Sequence, residues 1–444
     1  MQVEITVRID GQEVVRQVET VDGTLEQMEE NISQFTHEVA RQTLQASVDR
    51  VTAPRPLFSA EGGEWRHRGY KPRTMMGLFG PVCIRRARYQ CPKTGRMCVP
   101  LDEQLELSAS EVTPALAKRV LHVAMHMSFA EVQTAVPLYF NVQLCDSVLD
   151  RLMQRAGTVA VEDARRETEA LAALSAGEAR ERHVTQRRLA AAPKRLYVSS
   201  DGALYPSRNR QENGDGTRRI VYQEMKCGTV FWQTADDPWE KVVVAGREDV
   251  RTFGLRLWRT AVTCGMLEAE ETLFISDAGG WCETVYETYF RDARRILDWY
   301  HLSEHVWAAA RQLYSSDAAA AAQWAHAALA QLHDASGIGL MRFLTGELPR
   351  WEAQPTPAEA LNGLLNYLRP RLAFTDYVEY RAGHYVIGSG MMESTCKQVV
   401  AARLKGSGRQ WSEQGAMAMA HLITHRLNGT WDAFWASSPL RRTA

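Results

Sequence analysis

Between Lys194 and His301 the sequence alternates short apolar runs with helical stretches in an order that restricts how the chain can fold. The apolar runs are 195–200, 219–233, 241–246, 272–276 and 294–299, with helical periodicity over about 248–267 and 282–290. The first run ends in Asp201 followed by Gly202, and the fourth in Asp277 followed by Ala278 and two glycines.

Strand, strand, strand, helix, strand, helix, strand is the order of an RNase H-like mixed sheet. In that sheet the first and fourth strands are neighbours, so Asp201 and Asp277 are expected side by side. About 90 residues of nearly unbroken helical pattern come next, including 308–312 and 318–332. That is too long for a loop and reads as an inserted helical domain. It separates the strands from Val386-Ile387-Gly388-Ser389-Gly390-Met391-Met392-Glu393-Ser394. The fold class expected is α/β: an RNase H-like mixed-sheet core with an all-helical insertion, preceded by a small α+β region and a helical DNA-binding region.

Upstream, residues 3–19 alternate in polarity around Asp10-Gly11, a hairpin signal. A helical pattern runs from Thr24 to Val51, and Pro54 and Pro56 then break the chain. Residues 68–106 read as strands and turns around Gly80-Pro81. Thr113-Pro114 opens a helix, and Ser128-Phe129-Ala130-Glu131 is a capping box whose helix ends near Asn141. A second helix is expected from Leu144 to Ala156. The two suit a helix-turn-helix with Asp146–Arg155 as the recognition element; ordinary helical hairpins share the pattern. Residues 158–192 read as a charged connecting helix and loop. The expected divisions are therefore 1–56 (hairpin and helix), 57–110 (strand-rich), 111–193 (helical), 194–304 (first part of the core), 305–380 (helical insertion) and 381–444 (the rest of the core).

The 444 residues, 45% hydrophobic and 24% charged, are those of a globular chain. No apolar run approaches the ~20 residues a membrane span needs, and the first residues lack a secretory leader. The eight cysteines are scattered. Together these features place the chain in a reducing cytoplasm, with no membrane partner. A net charge of −1 does not itself point to nucleic acid. The distribution is more informative: residues 180–226 carry Arg180, Arg182, Arg187, Arg188, Arg195, Arg208, Arg210, Arg218 and Arg219, and 397–409 carry Lys397, Arg403, Lys405 and Arg409. Local basic patches bind phosphate when total charge is near zero; a solvated charged face is the plainer alternative for 180–195. Cys91 and Cys98 form a knuckle-like pair that holds either a zinc ion or two reduced thiols. Their spacing and the lack of an upstream pair favour thiols.

Two divalent cations held ~3.5–4 Å apart by carboxylates activate a hydroxyl or water and stabilise a leaving oxygen in phosphoryl transfer. Asp201, Asp277 and Glu393 fit that need, with Mg²⁺ or Mn²⁺ as the metal. Each has a plainer role alone: Asp201 and Asp277 as strand ends before a turn, Glu393 near a helix N-terminus. Asp298 and His301 form a D-x-x-H that could orient the scissile strand or a metal-bound water, or leave His301 capping a helix. Gly388-x-Gly390 reads as a tight turn before the Glu393 helix. Lys397, Arg403, Lys405 and Arg409, next to Trp411, could grip phosphates and stack a base, or Trp411 could pack in a core.

The segments SSDGA (199–203), SDAGGW (276–281), LDWYHLSEH (297–305) and IGSGMMESTCKQVVAARLKGSGRQWSEQGA (387–416) resemble the ISKra family of bacterial insertion-sequence transposases. The resemblance covers about 194–436 and extends more loosely upstream. It implies a DDE transposase, distantly similar to Mutator-like enzymes, with Asp201, Asp277 and Glu393 as the catalytic acids and Asp298 and His301 as the D-x-x-H. It implies double-stranded DNA as partner, both terminal inverted repeats and target, acted on at the nucleoid by a homodimer or larger oligomer. Many relatives have a closer cysteine pair where this chain has Cys91 and Cys98. A structure-specific nuclease on the same fold, or a DNA-binding protein without catalysis, stand as alternatives.

Overall fold

The computed structural model describes residues 1–51, 57–60, 63–107, 109–173, 178, 193–212, 214, 216–233, 239–277, 279–437 and 439–442. The arginines of 180–188 and the Asp236-Asp237 loop lie outside the described residues. Two compact units are present: Met1–Glu162 with Gly429–Ala444, and Asp163–Asn428. The 429–444 segment therefore belongs with the first unit, whereas the sequence groups it with the core.

In the first unit, strands β1 (Gln2–Ile9) and β2 (Gln12–Thr20) pair antiparallel. Asp10 (φ 51°) and Gly11 (φ 78°) are both left-handed, the turn whose twist matches a hairpin. The helix Leu25–Val51 lays Phe35 and Val39 on Val15 and the inner face of this hairpin. Strands β3 (Leu57–Ala60), β4 (Gly63–Gly77), β5 (Gly80–Gln90) and β6 (Met97–Cys98) form an antiparallel sheet. Cys91 is buried and Cys98 half-buried, packed with Trp65 and Tyr89 in an apolar cluster.

Helix Pro114–Ala124 is capped by Thr113, and Phe129–Phe140 by the reciprocal Ser128–Glu131 box. The next helix, Asp146–Ala172, runs well past the expected stop at Ala156. The reason is its apolar stripe: Leu149, Leu152, Met153 and Ala156 continue into buried Val159 and Ala160, and this burial carries the helix through Gly157.

The second unit is built on five strands: β7 (Arg195–Glu212), β8 (Arg218–Gln233), β9 (Trp239–Gly246), β10 (Glu271–Ser276) and β11 (Arg294–Leu297). Their order is β11-β10-β7-β8-β9. β10 is parallel to both β7 and β11, and the remaining pairs are antiparallel. The unit is a mixed α/β structure, with both sheet faces covered. Leu196, Val198, Val230, Trp232 and Phe274 meet Phe253, Leu257, Ala261 and Val285 of helices Val250–Thr263 and Gly280–Tyr289. Tyr197, Phe231, Leu273, Ile275 and Ile296 face the other way, toward helices Trp299–Leu313, Ala318–Trp351, Pro355–Leu368 and Tyr377–Ala382. Period-two alternation with apolar residues at both parities is what a doubly covered sheet requires.

β7 does not stop at Asp201, as the sequence pattern suggests, but continues to Glu212 against β8. Gly202 makes no turn. A Cβ there would lie 1.9 Å from Glu224 Oε1, so the glycine serves a close side-chain approach within a continuing strand. After the helical stretch come helix Gly390–Cys396, a π-helical turn Lys397–Ala401, and helix Glu413–Leu427 packed on β9.

That last helix buries His421, whose Nε2 has no hydrogen-bond partner. Burial, reinforced by Arg256 and His425, pushes its pKa well below the ordinary 6.5. The unfolded chain therefore binds a proton that the native state refuses. Stability is fully present above about pH 6.5 and falls as pH drops through the window below it. His421→Leu should flatten the fall in melting temperature between pH 7 and 5; an unchanged slope would show that other groups carry it.

Candidate active site

Five residues of register place the first two acids. Glu271 to Ile275 pair in parallel with Arg195 to Ser199. Asp201 and Asp277 each lie two residues beyond the last of these pairs, which brings both acids to the same end of the two strands. Asp201 shares the parity of Tyr197, on the face covered by the later helices, and Asp277 directly follows the end of β10. Ser199 Oγ donates to the Ile275 carbonyl at 2.7 Å and locks the pair of strands just below them.

Glu393 arrives from a distant segment. It sits in the first turn of Gly390–Cys396, a helix that packs on β7 and β8. Asp201, Asp277, Asp298, His301, Glu304 and Glu393 line one cleft of about 330 Å³, together with Ser199, Ser200, Ser276, Tyr300, Ser389 and Met392. A roomier cavity of about 630 Å³ in the first unit has a single acid, Glu111, among mostly apolar and amide side chains, and offers no comparable chemistry.

The cleft is electrostatically costly. Asp201 reaches solvent at the mouth, yet enough protein surrounds it that desolvation raises its carboxyl pKa. The Gly202 N–H, donating at 2.6 Å, opposes that shift; Asp277 adds to it, and His301 counters it. Asp277 accepts from the Gly279 N–H at 3.1 Å. Glu393 accepts weakly from Ser389 Oγ at 3.4 Å.

Asp298 lines the cleft and also has a structural part. It is 5% exposed and caps helix Trp299–Leu313. Its Oδ1 accepts from the Tyr300 N–H at 2.9 Å and the Ser389 N–H at 3.2 Å. With Trp299 N–H donating to the Ile387 carbonyl at 2.9 Å, it ties the segment before Glu393 to the end of β11. Asp298 thus positions the acid helix through backbone bonds to its Oδ1. Gly388 is required for the same junction: a Cβ would lie 2.4 Å from the Tyr300 ring. Its φ is not left-handed, so close approach and not turn geometry is the constraint.

His301 Nε2 lies 3.2 Å from His305 Nε2. His305 stacks on Tyr367 with centroids 4.1 Å apart. Burial, then the charges of His301 and Arg371, hold the His305 pKa low, so a neutral imidazole is the partner His301 meets. Tyr367, on the helical stretch, donates its hydroxyl to the Asp277 carbonyl at 2.8 Å. Lys241 of β9 donates to Gln398 Oε1 at 3.3 Å and Ser394 Oγ at 3.4 Å on the segment carrying Glu393. Sequence reasoning missed His305, Tyr367 and Lys241. Only His305 had a signal, its i, i+4 spacing from His301 on a helix.

The basic segment divides. Lys397 and Lys405 are exposed. Arg403 is 2% exposed, with its guanidinium 4.8 Å from the centre of the Trp411 ring. Trp411 is also buried, its indole N–H donating to the Leu404 carbonyl at 3.2 Å. Burial removes both from phosphate gripping and base stacking: an aromatic beside cations packs as readily inward as outward. Arg409 donates to the carbonyls of Ala402 and Arg403, closing the short helix.

Residues 20–434 match the Uncharacterised protein family (UPF0236). The chain belongs to that family. No curated protein matches it. The family description leaves the chemistry to the residues themselves, above all to the acids that converge on one cleft.

Replacing Asp298 by Ala removes a helix cap and orphans the Ser389 N–H. Stability should fall by about 2 kcal/mol, read by urea denaturation, and Asp298→Asn should restore most of it. A D298A midpoint equal to wild type would remove its positioning role.

Proposed function

We propose that the chain is a DDE-type DNA transposase, cutting DNA at the ends of an insertion sequence and joining the 3′-hydroxyl ends to target DNA. The observation that carries this reading is that Asp201 on β7, Asp277 just past the end of the parallel neighbour β10, and Glu393 line one cleft. The strand order, with the acid-bearing strands as parallel neighbours, supports an RNase H-like core interrupted by the helices from Trp299 to Ala382. The resemblance of the four motif segments to ISKra transposases points the same way.

Among the described residues no three His, Cys, Asp or Glu side chains converge tightly enough to hold a metal ion unaided. The donors nonetheless fit Mg²⁺ or Mn²⁺. They are carboxylates, and Mg²⁺ is commonly held by one or two carboxylates completed by water and substrate phosphate. Asp201, Asp277 and Glu393 would hold the metal ions. Bound there, two such ions supply charge stabilisation at the attacking and leaving oxygens of an in-line displacement.

The chain's own residues do the rest. Tyr367 fixes the backbone at Asp277, and Asp298 and Gly388 fix the approach of the Glu393 helix. His301, facing Asp201 and backed by neutral His305, offers a ring nitrogen to the scissile strand or to a water beside it. Two element ends imply at least two subunits on DNA. No helix among the described residues is long and apolar enough to cross a membrane, and the reading places the protein at the nucleoid.

Asp201→Asn, Asp277→Asn and Glu393→Gln should each reduce cleavage and strand transfer at least about a thousandfold while leaving DNA binding intact, and double variants should be barely worse. Near-normal activity of Glu393→Gln would move the third acid to Glu304, which lines the same cleft. Cleavage without joining of 3′-hydroxyl ends would instead identify a structure-specific nuclease.

A further inference from the structure

Beyond Asp201, β7 and β8 leave the body of the sheet as a two-stranded ribbon. Residues 210–212 pair with 218–220, and these six together with Arg208 and Asn209 are exposed, whereas Ser207 is buried. The register shifts between Pro206 and Arg210, so extra residues on β7 oppose a single stretch of β8 there. Such bulges bend a strand and re-aim the residues beyond them.

The shift is held from the side. Ser207 bridges to Trp411, Arg208 N–H donates to the Trp411 carbonyl at 2.9 Å, and Trp411 N–H donates to the Pro206 carbonyl at 3.1 Å. Buried Trp411 therefore pins the loop containing Lys405 to the base of the ribbon. Arg210 donates to Gln410 Oε1 at 2.8 Å across the same junction.

The ribbon's charge is uneven. Residues 207–222 hold Arg208, Arg210, Arg218 and Arg219 against Glu212 and Asp215. Among the described residues none of the four guanidinium groups meets a carboxylate; Arg219 donates to Gln211 and Arg210 to Gln410. The pairs Arg210↔Ile220 and Glu212↔Arg218 lie on one face, and Gln211↔Arg219 on the other. Cations thus stand on both faces of an exposed ribbon beside half-exposed Tyr222.

From this geometry we infer that the β7–β8 ribbon is a duplex-DNA-binding arm that delivers DNA to the acidic cleft. The inference rests on the proposed transposase reading and assigns that reading a contact surface. A two-stranded ribbon fits the ~12 Å major groove, whose walls are phosphate backbones on either side. Arginines on both faces of the ribbon then meet phosphates on both walls. The arm shares strand β7 with Asp201. Arg210 lies nine residue steps along from Asp201, which spans about 25–30 Å of strand. At ~3.4 Å per base pair, the gripped phosphates lie roughly seven to nine base pairs from the one in the cleft.

The test is a salt titration of duplex DNA binding, with a duplex about three helical turns long. It uses full-length protein, the variant R208A/R210A/R218A/R219A, and the matching all-lysine variant. All four positions are exposed, and melting temperature confirms folding. The alanine variant should bind at least about tenfold more weakly near physiological salt. Its slope of log affinity against log salt should be shallower by up to about 3.6, roughly 0.9 per lost phosphate contact. The lysine variant should recover most of the slope. An unchanged slope in the alanine variant, with wild type binding DNA, overturns the arm and leaves the transposase reading standing. Failure of wild type to bind duplex DNA overturns that reading itself. Equal wild-type affinity for duplex RNA overturns DNA as the arm's partner.

Discussion

The cleft depends on the parallel pairing of β10 with β7. The pairing brings two chain segments far apart in sequence into a register whose ends carry two carboxylates into one cleft, close enough for Asp277 to raise the Asp201 pKa. Like charges so placed, one of them desolvated, work against the folded state. The strands below compensate through apolar burial on both faces and through the Ser199–Ile275 hydrogen bond. The sheet therefore holds an arrangement that the carboxylates alone would not adopt, as expected where a site's chemistry needs opposing charge from a bound group.

The remaining elements converge on the same strand ends. The helical stretch contributes hydroxyl bonds: Tyr367 to the Asp277 carbonyl and Tyr377 to the Leu297 carbonyl. The C-terminal segment is tied down by Asp298 and by Trp299, whose N–H bonds the Ile387 carbonyl. Buried Arg295 of β11 links Glu283 on one side to the faces of Tyr286 and Phe374. The helical stretch is therefore more than a spacer between the strands and Glu393, because its tyrosines hold the backbone at the end of β10 and β11.

Local chemistry was readable in the sequence alone. Asp10-Gly11 demands a left-handed hairpin turn, Ser128 and Glu131 cap a helix, and the element order makes β7 and β10 neighbours. What failed depended on partners distant in sequence. Gly202 reads as a turn unless Glu224 is known to occupy the space of its missing Cβ. Trp411 beside four cations leaves base stacking and core packing both open until its bonds to Pro206 and Leu404 are seen. Asp298 reads as half of a D-x-x-H, and its bond from the Ser389 N–H adds a positioning part that the sequence does not show. Of the site, Asp201, Asp277, Glu393 and His301 were legible as residues sharing one cleft. Tyr367 and Lys241 were not, because a tyrosine on an apolar helix or a lysine on a strand carries no pattern of its own.

The central claim is that Asp201 and Asp277 form a divalent-metal site. Anomalous diffraction from crystals of the protein equilibrated with Mn²⁺ tests it directly. The account requires an anomalous peak in the cleft within coordinating distance of both carboxylates, lost in Asp277→Asn. Saturating Mn²⁺ with no peak in the cleft, or a manganese ion held by neither aspartate, would contradict it.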